Sequence, residues 1–201
     1  MRVLITGFGP FPGAPFNPSA MLAKALARRR RPALAGIERV VHVFATTYAS
    51  VDRDLPNLLA QKPDIVLLFG VAGRRRHLCI ETRARNAVSL LFPDAGGHRP
   101  RLGVIKLHGP AALKGNAPFA RLAGAAGTRL SRDAGRYLCN YVYWRALERV
   151  HGTRPLVQFV HIPPADAKPR PRQRSKQPLT LGQFLKPAEA LLIALIAASR
   201  R

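Results

Sequence analysis

Three residues in this sequence have side chains that together could perform acyl transfer: Glu81, Cys139 and His161. A thiolate is a strong nucleophile, and a nearby imidazole can take its proton or lower its pKa. A carboxylate against the imidazole fixes its tautomer and supports the cation that forms. That is the logic of a cysteine hydrolase. Each residue alone also has a structural reading. Cys139 could be a small buried hydrophobe, His161 one of six ordinary histidines, and Glu81 half of a surface ion pair with Arg83 or Arg85. The second cysteine, Cys79, reads only as structural. Two cysteines cannot build a disulfide framework or a four-ligand zinc site, so neither a metal nor a dense disulfide scaffold is expected.

A second constellation lies near the N-terminus, in Gly7-Phe8-Gly9-Pro10-Phe11-Pro12-Gly13. The glycines suggest a dinucleotide loop, but the third comes one residue late. Pro10 and Pro12 also lack the N–H groups that a pyrophosphate would need. Phe8, Phe11 and Phe16 could fill the core, or they could wall a compact apolar pocket with Asn17 as its orienting polar contact.

The elements that must position these groups are legible as an alternation. Arg2–Thr6, Val40–Ala45, Asp64–Gly70 and Leu156–His161 are predicted strands, with a weaker one over Ile80–Ala87. Ala20–Arg29, Val51–Ala60 and Arg132–Val150 are predicted helices, the last capped by Ser131, with a final helix around Pro187–Arg200. On that reading Cys139 lies inside a helix, with Gly135 one turn before it. Residues 163–178, rich in Pro, Lys, Arg and Gln, read as a mobile polar loop. Strands alternating with helices, with continuously apolar strands, predict an α/β fold with a mostly parallel twisted central sheet in a single domain over residues 1–201. In such a fold, functional groups gather beyond the carboxyl ends of strands, where the Gly7 loop, the Gly70–Glu81 segment and His161 all fall.

Composition bounds the partners. The chain has 201 residues, 33 Lys plus Arg against 10 Asp plus Glu, and a formal net charge of +23. Charge of that size favours adventitious polyanion binding. The basic residues are scattered, however, and no zinc finger, RNA-recognition motif or helix-turn-helix accompanies them, so no specific nucleic acid partner is expected. No signal peptide is read at the N-terminus. Ala188–Ser199 is too short an apolar run to span a membrane, so a cytoplasmic protein without membrane attachment is expected.

With those residues in view, the chain resembles the pyroglutamyl-peptidase I family, the pyrrolidone-carboxylate peptidases. The resemblance runs through Leu4–Phe11, Asn17-Pro18-Ser19, Gly70–Arg74, Glu81, Asn86, Pro93-Asp94, Ser131–Asn140 and Val160–Pro163, with Leu179-Thr180-Leu181 near the end. The stretch around Cys139 is the most specific. The resemblance implies a three-layer α/β/α sandwich, no cofactor, and removal of N-terminal pyroglutamate from blocked peptides; a homo-oligomer is left open. It assigns Cys139 as nucleophile, His161 as base and then acid, Glu81 as the orienting carboxylate, Phe8, Phe11 and Phe16 as pocket walls, and Asn17 as a contact to the lactam or an organiser of that loop. Three positions depart from the family pattern. Val71 stands for a glutamine, Leu91 for an arginine and Pro12 for a glycine. Arg74, Arg83 and Arg85 are the cations that could make good the missing charge.

Overall fold

The structure is a computed structural model that describes residues 1–11, 15–73, 75–164 and 180–200. Of the loop expected over 163–178, only Pro163 and Pro164 fall among them. Apolar runs with few breaks become inner strands, since both faces of such a strand are covered. Strand β1 (Arg2–Phe8) and β3 (Ile65–Val71) are buried along nearly their whole length, as is β8 (Leu156–Ile162). The order across the sheet is β2 (Glu38–Phe44), β1, β3, β8, β4 (Cys79–Glu81), β7 (Arg129–Ser131). Neighbours run parallel except for β4 against β8. The weak strand expected over Ile80–Ala87 is two pieces. β4 joins the main sheet, while β5 (Arg83–Arg85) turns away to pair antiparallel with β6 (Ala112–Lys114).

Helices cover both faces. Helix α1 (Pro18–Ala27), α3 (Phe119–Ala126) and α5 (Leu181–Ser199) bury Leu22, Leu26, Leu122, Leu191 and Leu195 against Val3, Ile5, Leu67 and Val160. Helix α2 (Tyr48–Ala60) and α4 (Leu138–Val150) bury Val51, Leu55, Val142, Trp144 and Leu147 against Leu4, Val66, Leu68 and Phe159. The result is an α/β/α sandwich. Helix α5 starts earlier than expected, at a Thr180–Gln183 capping box, and carries Pro187 inside it. At 19 residues it is long and apolar enough to cross a membrane by length and composition. Here it packs on α1 and α3, and its buried Glu189 is held by Arg29 and Arg31, which is the placement of a core helix.

Candidate active site

The site grows from the sheet's register. Gly70 of β3 and Cys79 of β4 lie on either side of His161 in β8, and Glu81 lies opposite Phe159. Side chains alternate along a strand, so Cys79, Glu81, Phe159 and His161 all project from one face. Glu81 and His161 are therefore diagonal neighbours, within reach of long side chains. Glu81 Oε1 lies 2.8 Å from His161 Nδ1. The other oxygen, Oε2, accepts the N–H of Asp133 at 3.1 Å. Glu81 is fully buried, and a buried carboxylate persists only when its oxygens are satisfied. Arg75 Nη2 lies 3.7 Å from Oε1 and donates to Ser131 Oγ at 2.8 Å. Two further bonds reach the Glu81 carbonyl, from Tyr143 Oη and Gln158 Nε2, each at 3.0 Å. They hold the backbone of this short strand in register.

Cys139 arrives from the other layer. The helix expected from Arg132 begins instead at Leu138, with Tyr137 extended in front of it (φ −126°, ψ −160°). Gly135 stands at φ +83°, a left-handed turn that an L side chain rarely adopts, and so breaks the helix that its neighbours' composition suggests. Ser131 ends β7 and bonds the N–H of Asp133, so it does not cap a helix. The consequence is chemical. Cys139 lies in the first turn of α4, where N–H groups lack intrahelical partners and the dipole's positive end faces the sulfur. Asn140, fully buried beside it, accepts from Arg85 N at 2.8 Å and donates to the carbonyls of Arg85 and Ala87 at 2.8 and 2.9 Å. That clamp ties the start of α4 to β5.

The half-buried thiol lies over Gly70 of β3, the register partner of His161 in the neighbouring strand. Gly70 makes the approach possible, since a Cβ there would stand 2.7 Å from Cys139 Sγ and 2.7 Å from Phe159 Cζ. With Nδ1 held by Glu81, Nε2 is the nitrogen left for the thiol. Burial disfavours the imidazolium, but hydrogen bonds and charge from Cys139 and Glu81 outweigh it and push the His161 pKa up to about 9. The imidazolium is the form this favours. Cys79 differs. It is fully buried, and burial pushes its thiol pKa up despite Arg75 Nη1 at 3.5 Å from its sulfur. Both thiols are free.

The loop after β1 divides the aromatic set. Phe8 is buried in the core against Phe44, with ring centroids 5.8 Å apart, while Phe11 and Phe16 are half-buried above it. Asn17 is buried and fully engaged. Its Nδ2 donates to the Gly9 carbonyl at 2.9 Å, and its Oδ1 accepts from Ser19 N and Oγ, capping α1. Of the two roles expected for Asn17, organising the loop is the one these bonds perform. Gly7 lets the start of α1 sit against β1, since a Cβ would meet Ser19 O at 2.5 Å. That close approach accounts for the glycine without any nucleotide.

Sequence reasoning missed Gly70 as clearance for the sulfur and Arg75 as the cation at Glu81. Arg83 donates to the Arg132 carbonyl and Arg85 pairs with Asp133, so neither faces the carboxylate, and Arg74 lies outside the described residues. The only signal for Arg75 was its place among three successive arginines, which does not say which one turns inward. Val71 is half-buried against the core, and Leu91 is 75% exposed. Among the described residues, no cluster of His, Cys, Asp and Glu could hold a metal ion.

The chain is similar to known proteins along most of its length. The family model described as pyroglutamyl peptidase matches residues 1–194. A pyrrolidone-carboxylate peptidase of Ralstonia nicotianae is 32% identical over 183 residues, covering 86% of this chain and 84% of the relative. One of Thermococcus kodakarensis is 32% identical, covering 85% of this chain and 87% of the relative. Among solved structures, the pyrrolidone carboxyl peptidase of Thermococcus litoralis superposes with a TM-score of 0.87 at 25% identity, over 99% of this chain and 94% of that one. Pyroglutamyl peptidase I of Bacillus amyloliquefaciens gives 0.83 at 28%, over 100% and 97%.

Proposed function

The chain belongs to the pyroglutamyl peptidase family of cysteine peptidases, and from that membership we propose that it releases N-terminal pyroglutamate from peptides through Cys139, His161 and Glu81. The observation that carries the proposal is the 2.8 Å contact between the buried Glu81 carboxylate and His161, with the Cys139 thiol held over Gly70, the register partner of His161.

The Cys139 thiolate attacks the carbonyl carbon of the pyroglutamyl residue. A tetrahedral oxyanion forms, and the Cys139 N–H at the start of α4 receives it. His161 then gives its proton to the leaving amine as the C–N bond breaks, which leaves a thioester. Neutral His161 takes a proton from water, the hydroxide adds to the thioester, and collapse releases pyroglutamate with the thiolate and imidazolium restored. Glu81 holds the ring through both steps, supported by Arg75 and the N–H of Asp133. Phe11 and Phe16 wall the lactam pocket, Asn17 fixes the loop that carries them, and Phe8 supports it from the core. Two free thiols suit a reducing, cytoplasmic setting.

The test is hydrolysis of a pyroglutamyl-coumarin amide by the wild type and by Cys139→Ala. Turnover by the wild type and loss in the variant are expected. Equal turnover by both would remove Cys139 from the mechanism, and no turnover by either would remove the substrate.

A further inference from the structure

The long excursion between β5 and β6 carries an unusual surface. Leu90, Leu91 and Phe92 are 49%, 75% and 65% exposed, and Leu102, Val104 and Leu107 of the same excursion are also exposed. Together they are six of the nine large hydrophobics exposed among the described residues. Scattered exposed leucines need no explanation, but a contiguous run of three does. This run has a fixed address. Ser89 N donates to the Arg136 carbonyl at 2.6 Å, and Tyr137 Oη donates to the Pro93 carbonyl at 2.8 Å. Both ends of Leu90–Phe92 are thus sewn to the two residues that lead into the helix bearing Cys139. Asp94 anchors the far side by accepting from Tyr48 N, Gly96 N and His98 N. The lip is held open to solvent beside the nucleophile.

Its chemistry is equally distinct. In a chain of 33 Lys and Arg, residues 86–97 contain none, and their one acid, Asp94, is buried. Arg83 and Arg85 stand before the stretch, and Arg99 and Arg101 after it. A neutral, apolar, exposed segment flanked by charge on both sides suits a neutral apolar ligand group.

We propose that Leu90, Leu91 and Phe92 form an apolar lip that binds the residue following pyroglutamate, so that the enzyme favours substrates with a large apolar residue at that position. This rests on the pyroglutamyl-peptidase reading of the site. The pyroglutamyl group enters the lactam pocket, and the amine released from Cys139 leaves with its own side chain beside the α4 N-terminus. An apolar side chain there covers Leu91 and Phe92, whereas a charged one must give up water for no partner.

The experiment measures kcat/KM by chromatography on a series of pyroglutamyl dipeptide amides whose second residue is Leu, Phe, Gly, Asp or Lys. Wild type is compared with Leu91→Ser and with Leu91→Ser/Phe92→Ser, and circular dichroism and sedimentation velocity are run on each. Both side chains are exposed, so the variants are expected to fold. The wild type is expected to favour Leu and Phe over Gly by about tenfold, the order that one apolar group supplies to discrimination. In the double variant the ratio falls toward two, while turnover of the Gly substrate stays within twofold. A flat wild-type series overturns the lip, as does a preference that survives the double substitution. A variant that merely dissociates an oligomer, with its substrate ratios unchanged, overturns it in favour of a contact between copies of the chain. No hydrolysis of any member is a separate failure, that of the function itself.

Discussion

Replacing Gly70 by alanine should disable the site far more than it destabilises the fold. The added Cβ would stand 2.7 Å from Cys139 Sγ and 2.7 Å from Phe159 Cζ. Ordinary contact begins near 3.5 Å, so both the sulfur and the ring must retreat, each by roughly 1 Å. The ring is the less able to move, because Phe159 is fully buried and packed on Tyr143 at 5.8 Å between centroids. The thiol, half-buried at a helix end, is the softer partner and gives way. A misplacement of about 1 Å at a reacting atom costs on the order of a hundredfold in rate. Overpacking costs about 1–3 kcal/mol, which for a chain of this size lowers Tm by roughly 2–12 °C. The assay is kcat/KM on a pyroglutamyl-coumarin amide at 25 °C, beside iodoacetamide alkylation of Cys139 and a thermal melt. Gly73→Ala is the control, since a Cβ there meets nothing within 4 Å, and it should change none of the three. A Gly70→Ala enzyme within threefold of wild type would refute the placement of the thiol over β3.

The remaining predictions concern charge. His161 has its folded pKa raised, so its contribution to stability is complete below about 6.5 and is lost as pH rises through about 9. The imidazolium that protonates the leaving amine disappears over the same range, so kcat/KM should fall on an alkaline limb near pH 9. Glu81→Gln removes one of the groups that raise this pKa, and the limb should move to lower pH along with a drop in kcat/KM; an unmoved limb would separate Glu81 from His161. Arg75→Met should do the opposite to the limb, because it removes a cation from Glu81's side, and should lower kcat/KM by roughly three- to fivefold, the size of a partly exposed ion pair. A limb that moves downward in Arg75→Met would contradict the contact.

The strands that hold the site were legible because their signal is local. Ile65–Phe69 is continuously apolar, and a buried parallel strand has to be. The triad residues were legible as types, and their joint pattern was carried mainly by the resemblance around Cys139. Other features were hidden because they depend on pairing distant in sequence. The split of Ile80–Ala87 follows from β4 pairing with β8 while β5 turns to β6. The start of α4 is displaced because Ser131 looks like a cap, whereas Gly135 in a left-handed turn and an extended Tyr137 delay the helix. That shift of six residues moves Cys139 from a helix interior to a helix end, where its chemistry is easier. Gly70 showed only as a strand-end glycine, and no sequence rule places a sulfur above it.

The central claim is that Cys139, and not the buried Cys79, carries the acyl group. The direct measurement is mass spectrometry of peptides from the enzyme quenched in acid during turnover of a pyroglutamyl ester. One pyroglutamyl adduct is expected on the peptide containing Cys139, absent in Cys139→Ala and longer-lived when His161 is replaced by alanine. An adduct on Cys79, or steady turnover with Cys139 unmodified under every quench, would contradict it.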